Sequence, residues 1–156
     1  MEAFFVAFLA ASLLHMGEEY AYPGGFPEQM RRLNPRFASL VTARAAVVLN
    51  GLQVALCLLA IGIGPSAPVF GLSVAGLLLV NGLIHIGACV RVRGYAPGAV
   101  TGALLYLPLS LTAYAVAIGS GRLTSGEVAL TIVLGALYQG VPIAYFTLAT
   151  LLGRTS

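Results

Sequence analysis

The run His15-Met16-Gly17-Glu18-Glu19 places an imidazole and two carboxylates within five residues. In a helix, at about 100° per residue, the three side chains fall inside one arc of roughly 100°, so a single face would carry all of them. Asn81 and His85, four residues apart, share a helical face in the same way, and His85 is the second of only 2 histidines in the chain. Tyr95-Ala96-Pro97-Gly98 adds a phenol, a catalytic candidate as proton donor or oxyanion-side hydrogen bond, beside a helix-starting proline. Two neutral imidazoles and one carboxylate are donors suited to Zn²⁺ or Fe²⁺, with positions left open for water or substrate. His15, His85 and either Glu18 or Glu19 would then be ligands, and the other Glu a general base toward water that the metal activates. Helical phase alone does not separate the two carboxylates. A dinuclear carboxylate site draws two Glu and two Glu-x-x-His pairs, and with Asp+Glu at 5 in the whole chain one metal is preferred to two.

The elements that must hold these groups are membrane helices. Of 156 residues, 59% are hydrophobic and 8% charged, against about 45–50% and about 25% in soluble domains. That composition excludes a disordered chain, a disulfide scaffold, a coiled coil and a nucleic-acid-binding domain. Uncharged stretches at 45–64, 69–90, 99–120 and 128–153 each reach the roughly 20 residues needed to cross a bilayer core of about 30 Å. A fifth crossing, 3–20, is shorter in its apolar part and takes His15, Glu18 and Glu19 below the membrane surface. The start of the chain has no basic region and no A-x-A site, so it reads as structure and not as a signal peptide. The expectation is one all-α bundle over 1–156, polytopic, with about five transmembrane helices.

Arg31, Arg32, Arg36, Arg44, Arg91, Arg93 and Arg154 would lie on one side of such a bundle and Arg122 on the other. The positive-inside rule then puts the N-terminus out and the C-terminus in. Pro27 would open a short amphipathic helix, 27–33, lying on the inner headgroup layer within a Tyr20–Phe37 lid. Counting about 1.5 Å per residue, Glu18 and Glu19 lie roughly 22–24 Å along the first helix and His85 roughly 24 Å along the third. Both helices run from outside to inside, so all three motifs converge on one inner-leaflet layer, beside Tyr95.

Taken together, His15-x-x-Glu18-Glu19, Asn81-x-x-x-His85 and Tyr95-x-Pro97-Gly98 resemble the hallmark motifs of the HXXEE family of small membrane proteins, in that order and over most of the chain. The resemblance implies which residues matter, including Asn81, Pro97 and Gly98, and implies enzymes of unassigned activity. Plainer readings stand beside it. The polar cluster could be a hydrogen-bonded core that fixes helix register, Tyr95 an interfacial aromatic, and Arg44, a candidate partner for Glu18 or Glu19, a snorkelling side chain. Asn50, Gln53, Tyr138, Gln139 and Tyr145 read as interhelical hydrogen bonders, Cys57 and Cys89 as small hydrophobes, and Gly51/Ala55, Gly98/Gly102 and Ala136/Gly140 as close-packing pairs.

The functional expectation is a metal-dependent membrane hydrolase acting on a lipophilic or amphipathic substrate. It holds a divalent metal, zinc in preference to iron, and needs no nucleotide, haem or nucleic acid. It would sit in the plasma (inner) membrane of a prokaryote with its site toward the cytosol, in contact with the lipid bilayer, and a homo-oligomer is compatible with it. Oxidation or hydroxylation at iron is a variant. A metal-free isomerase or cyclase using Glu and His as acid and base is the main alternative, and a non-enzymatic carrier or assembly subunit is a third.

Overall fold

A computed structural model describes residues 1–21, 23, 25–33, 35, 40 and 42–152, apart from the side chains of residues 26, 43 and 150. The chain is all-helical, and no strand occurs among the described residues. In order the helices are α1 (Glu2–Ala21), α2 (Gly25–Leu33), α3 (Ala43–Ile63), α4 (Pro68–Val92), α5 (Ala99–Gly119) and α6 (Ser125–Leu151). Four of them, α3 to α6, are long and apolar enough to cross a membrane, which makes the chain a membrane protein. α1 is 20 residues long but carries Glu2, His15, Glu18 and Glu19, and it is not among the four. Arg36 and Arg154, part of the orientation argument, lie outside the described residues.

The central element is α4. Every residue from Gly71 to Leu78 is buried, so this stretch of the helix is enclosed on all sides, while further along Leu83, Ile84 and Val90 are exposed. Lipid tails are as apolar as leucine, so helices here associate through close packing and not through expulsion of water. Two glycine crossings supply that closeness. At the α4–α6 crossing, a Cβ on Gly76 would overlap the Thr131 carbonyl, and one on Gly135 would overlap the Gly76 backbone. Where α4 meets α5, a Cβ on Gly102 would stand 3.1 Å from Gly82 Cα. At the far end of α4, the Phe5 ring of α1 fills the space left by Gly64 and Gly71.

Of the three small-residue pairs expected to pack, only Gly98/Gly102 does so. Gly51 and Ala55 are exposed, and Gly51 and Gly140 have open space around them, because both pairs face away from the bundle. Of the five polar residues expected to bridge helices, Asn50, Gln53 and Tyr138 do so, whereas Tyr145 is exposed and neither it nor Gln139 bonds across helices among the described residues. Gln53 of α3 donates to Tyr106 OH (2.8 Å) and Ser12 Oγ (3.1 Å), Asn50 donates to Tyr20 OH (3.1 Å), and Ser73 meets Tyr138 (3.2 Å). Both cysteines are free thiols.

α5 is irregular where the polar network reaches it. Gly102–Tyr106 is a π-helical turn, closed by the Leu107 N–H bonding to the Gly102 carbonyl. Pro108 follows at once, where a regular helix would need its missing N–H. The extra residue in this turn re-aims the side chains that follow it, and such turns often mark functional positions. Across the end of the bundle lies α2, with Glu28 joined to Arg32 (3.1 Å) and Arg31 (3.5 Å). The hydrogen bond from Arg32, with help from Arg31, holds the Glu28 carboxyl below the usual carboxylate range. α2 begins at Gly25, two residues before the expected Pro27 start.

Candidate metal centre

Three motifs far apart in sequence meet between α1, α4 and the start of α5. Glu19 Oε1 stands 3.3 Å from His85 Nε2 and 3.7 Å from His15 Nε2, and the three ligand atoms lie within 4.8 Å of one another. His15, Glu19 and His85 are all buried, at 2%, 3% and 5% exposure. Ligand atoms held at about 2.0–2.1 Å around a tetrahedral ion are themselves about 3.3 Å apart, so this spacing suits a shared ion.

The hydrogen bonds decide which nitrogens are available. His85 Nδ1 is 2.6 Å from the Pro97 carbonyl, which can only accept, so Nδ1 carries the proton. The Thr101 hydroxyl gives its one proton to Glu18 Oε2 at 2.5 Å and therefore accepts from His15 Nδ1 at 2.8 Å. Both imidazoles, when neutral, thus turn an Nε2 lone pair toward Glu19. His15 Nε2 is buried and has no hydrogen-bond partner. A buried lone pair left without a donor costs about 1–3 kcal/mol, and a metal ion removes that cost. Holding each ligand imidazole by its other nitrogen is the usual outer support of a metal site.

Glu18 does different work from Glu19. Its Oε1 accepts from Tyr95 OH (2.7 Å) and Val100 N (3.1 Å), and its Oε2 from Thr101 N (2.7 Å) and Thr101 Oγ1 (2.5 Å). Two donors on each oxygen fill all four lone-pair positions of the carboxylate. Gly98 is the N-cap of α5 and has no side chain to satisfy the first N–H groups of that helix. The carboxylate of Glu18 does so from α1, with favourable charge at a helix N-terminus. The two carboxylates are therefore placed differently: Glu19 faces both imidazoles, and Glu18 caps α5 and orients Thr101 and, through it, His15.

Gly98 is the tightest point. Its φ of +87° is left-handed, and a Cβ there would stand 2.7 Å from His15 Cε1, His85 Cε1 and His85 Nδ1. Only glycine lets the α5 backbone approach both imidazoles. Pro97 does not start the helix as expected; it lies in the turn before Gly98, and its contribution is the carbonyl that holds His85. Asn81 sits on α4 one turn from His85 but bonds to none of these groups, and its Oδ1 is buried without a partner. Arg44 is exposed and forms no ion pair with Glu18 or Glu19.

Sequence reasoning missed Thr101, Tyr106 and the chain behind them. The Tyr106 ring stacks on His15 with centroids 4.4 Å apart and planes 28° from parallel, and its hydroxyl is held by Gln53. A signal existed, since Ser12, Gln53 and Thr101 are polar residues in otherwise apolar spans, where such groups need a reason. Two spaces lie along these helices, and of the two only the second is lined by residues that bond to the centre, Tyr95 and Pro97. An apolar groove of about 460 Å³ runs between α1 and α5, from Phe4 to Leu14 and Leu104. A smaller pocket of about 180 Å³ lies beneath α2, walled by Gln29, Arg32, Val92, Gly94, Tyr95, Ala96 and Pro97.

Compared with known families, residues 6–113 match the family described as "Protein of unknown function with HXXEE motif", a span that takes in all three motifs. No curated protein and no solved structure matches the chain.

Proposed function

The chain belongs to the HXXEE family, and from that premise we propose that it is a membrane-embedded metal-dependent enzyme, a hydrolase of lipophilic or amphipathic substrates. The observation that carries this reading is the buried, partnerless His15 Nε2 aimed with His85 Nε2 at one oxygen of Glu19. Residues that merely satisfied one another would not leave that lone pair empty. Zn²⁺ bound by the three would act as a Lewis acid and make water a nucleophile near neutral pH, with no electron source required. Glu19 has one oxygen facing the imidazoles and a second to take up a proton, while Glu18, Thr101 and Pro97 keep the ligands oriented. Tyr106 covers His15 and excludes water from that side.

The rest of the reading follows from the placement of charge. With α1 as a fifth crossing and the arginines at the α2 end of the bundle, the centre opens to the cytosolic leaflet of a prokaryotic plasma membrane. A substrate whose tail lies in the bilayer would reach it from the α1–α5 groove or from under α2. One distance supports a second reading: at 3.3 Å, Glu19 and His85 could share a proton, as a metal-free isomerase or cyclase would require.

Elemental analysis of detergent-purified protein tests the choice. Wild type, prepared without chelators and offered Zn²⁺ and Fe²⁺, is expected to retain close to one metal per chain. His15→Ala, His85→Ala and Glu19→Gln are expected to retain none. Metal-free wild type after reconstitution would overturn the metal reading and leave the acid–base one. Bound iron in place of zinc would replace hydrolysis by oxidation.

A further inference from the structure

We propose that the pocket beneath α2 is the headgroup site for an anionic amphiphile bearing a free hydroxyl, and that such a lipid is the substrate class. As a substrate assignment it rests on the metal-centre reading; as a binding site it does not. Gln29, on α2, is 5% exposed, which is unusual for a glutamine on a surface helix, and its Oε1 is buried with no hydrogen-bond partner. That residue lines the pocket. An amide oxygen kept dry and unpaired is costly, and a donor placed in the pocket would satisfy it. A hydroxyl fits best, because it can donate to the amide oxygen and accept from the amide nitrogen of the same side chain.

Charge around the pocket selects the rest of the headgroup. Arg32 lines it, Arg31 precedes it on the same helix, and Arg91 and Arg93 are the chain neighbours of the lining residues Val92 and Gly94. Glu28 is the one acidic residue of α2 and is engaged by Arg31 and Arg32. Glu18 adds a second carboxylate through its bond to Tyr95, so the segments around the pocket carry four arginines (31, 32, 91 and 93) against Glu28 and Glu18, a positive surplus that favours a phosphate and disfavours an ammonium. A volume of about 180 Å³ admits a headgroup the size of glycerol phosphate and excludes a large glycan. Ala96 and Pro97 also line the pocket, and the Pro97 carbonyl holds His85. A headgroup seated here therefore brings the ester and phosphate bonds next to it toward the metal centre, with the chains left in the bilayer.

The test uses the full chain in phosphatidylcholine nanodiscs and reads lipid binding by native mass spectrometry. The probes are dioctanoyl phosphatidylglycerol, dioctanoyl phosphatidylmethanol, which has the same charge and no hydroxyl, and dioctanoyl phosphatidylcholine. Wild type is expected to bind phosphatidylglycerol about tenfold more tightly than phosphatidylmethanol, the worth of one buried hydrogen bond, and phosphatidylcholine least. Gln29→Leu should erase the preference for the hydroxyl, and Val92→Phe, which fills the pocket from α4, should weaken both anionic lipids. Metal content, measured on the same samples, should stay at the wild-type level in both variants. Equal binding of phosphatidylglycerol and phosphatidylmethanol, or a preference that survives Gln29→Leu and Val92→Phe, would overturn the pocket assignment. A preference that holds in protein lacking any metal would keep the binding site and sink only its role as substrate site.

Discussion

Gly98→Ala is the sharpest single perturbation of the proposed centre. The residue has φ +87°, and the new Cβ would sit 2.7 Å from one carbon of His15 and from two atoms of His85. Left-handed backbone costs a non-glycine residue about 1–2 kcal/mol. Contact distances of about 3.4 Å would be regained only if both imidazoles retreated by about 0.7 Å, several times the roughly 0.2 Å that metal–ligand distances tolerate. That retreat would also stretch the 2.6 Å bond from His85 to Pro97 and the 2.8 Å bond from His15 to Thr101. Expected are a loss of zinc affinity of at least about 100-fold, as for removal of an outer support, and a fall in stability of about 2–4 kcal/mol from strain and overlap. Chelator competition reads the first and thermal unfolding in detergent the second. Gly87→Ala is the control, two residues from His85 on α4 with nothing within 4 Å of its Cβ, and it should match or slightly exceed wild-type stability. Wild-type zinc affinity in Gly98→Ala would show that the imidazoles do not converge at this glycine, and the three-ligand geometry would fall with it.

The two adjacent glutamates should part company under the same change. Glu18→Gln turns an amide nitrogen toward donors that need an acceptor, so it should cost about 2–3 kcal/mol in thermal unfolding and lower zinc affinity about 10–100-fold. Glu19→Gln should abolish zinc binding at little cost in stability, and the reverse pattern would exchange their roles. Tyr106→Phe keeps the ring over His15 but removes one of the two acceptors of Gln53 Nε2, leaving Ser12 Oγ; a loss of about 1 kcal/mol with metal retained is expected, measured by denaturation and elemental analysis. Gly135→Leu drives a side chain into the α4 backbone at Gly76 and should yield aggregated protein on size-exclusion chromatography, whereas Gly140→Leu, in open space, should elute as wild type.

Much of this protein is legible in its sequence because the bilayer leaves few choices. Backbone polar groups in lipid must be satisfied within a segment, so uncharged runs of about 20 residues become helices. Counting rise along those helices puts Glu18, Glu19 and His85 at one level, and His15, Glu19 and His85 do meet between α1 and α4. Depth and helical face are one-dimensional properties, and spacing determines them. What spacing could not decide was azimuth and approach. Glu18 and Glu19 differ by about 100° around α1, and only the position of α5 assigns one to its N-terminus and the other to the imidazoles. Thr101, Tyr106 and Gln53 join the site because a π turn and the Gly82–Gly102 crossing rotate α5 toward α1 and α3, which no local pattern records. The same holds for the glycines: Gly76 packs although it stands in no small-x-x-x-small pair, and Gly51 and Gly140, which do, have open space around them, since contact depends on which helix lies opposite.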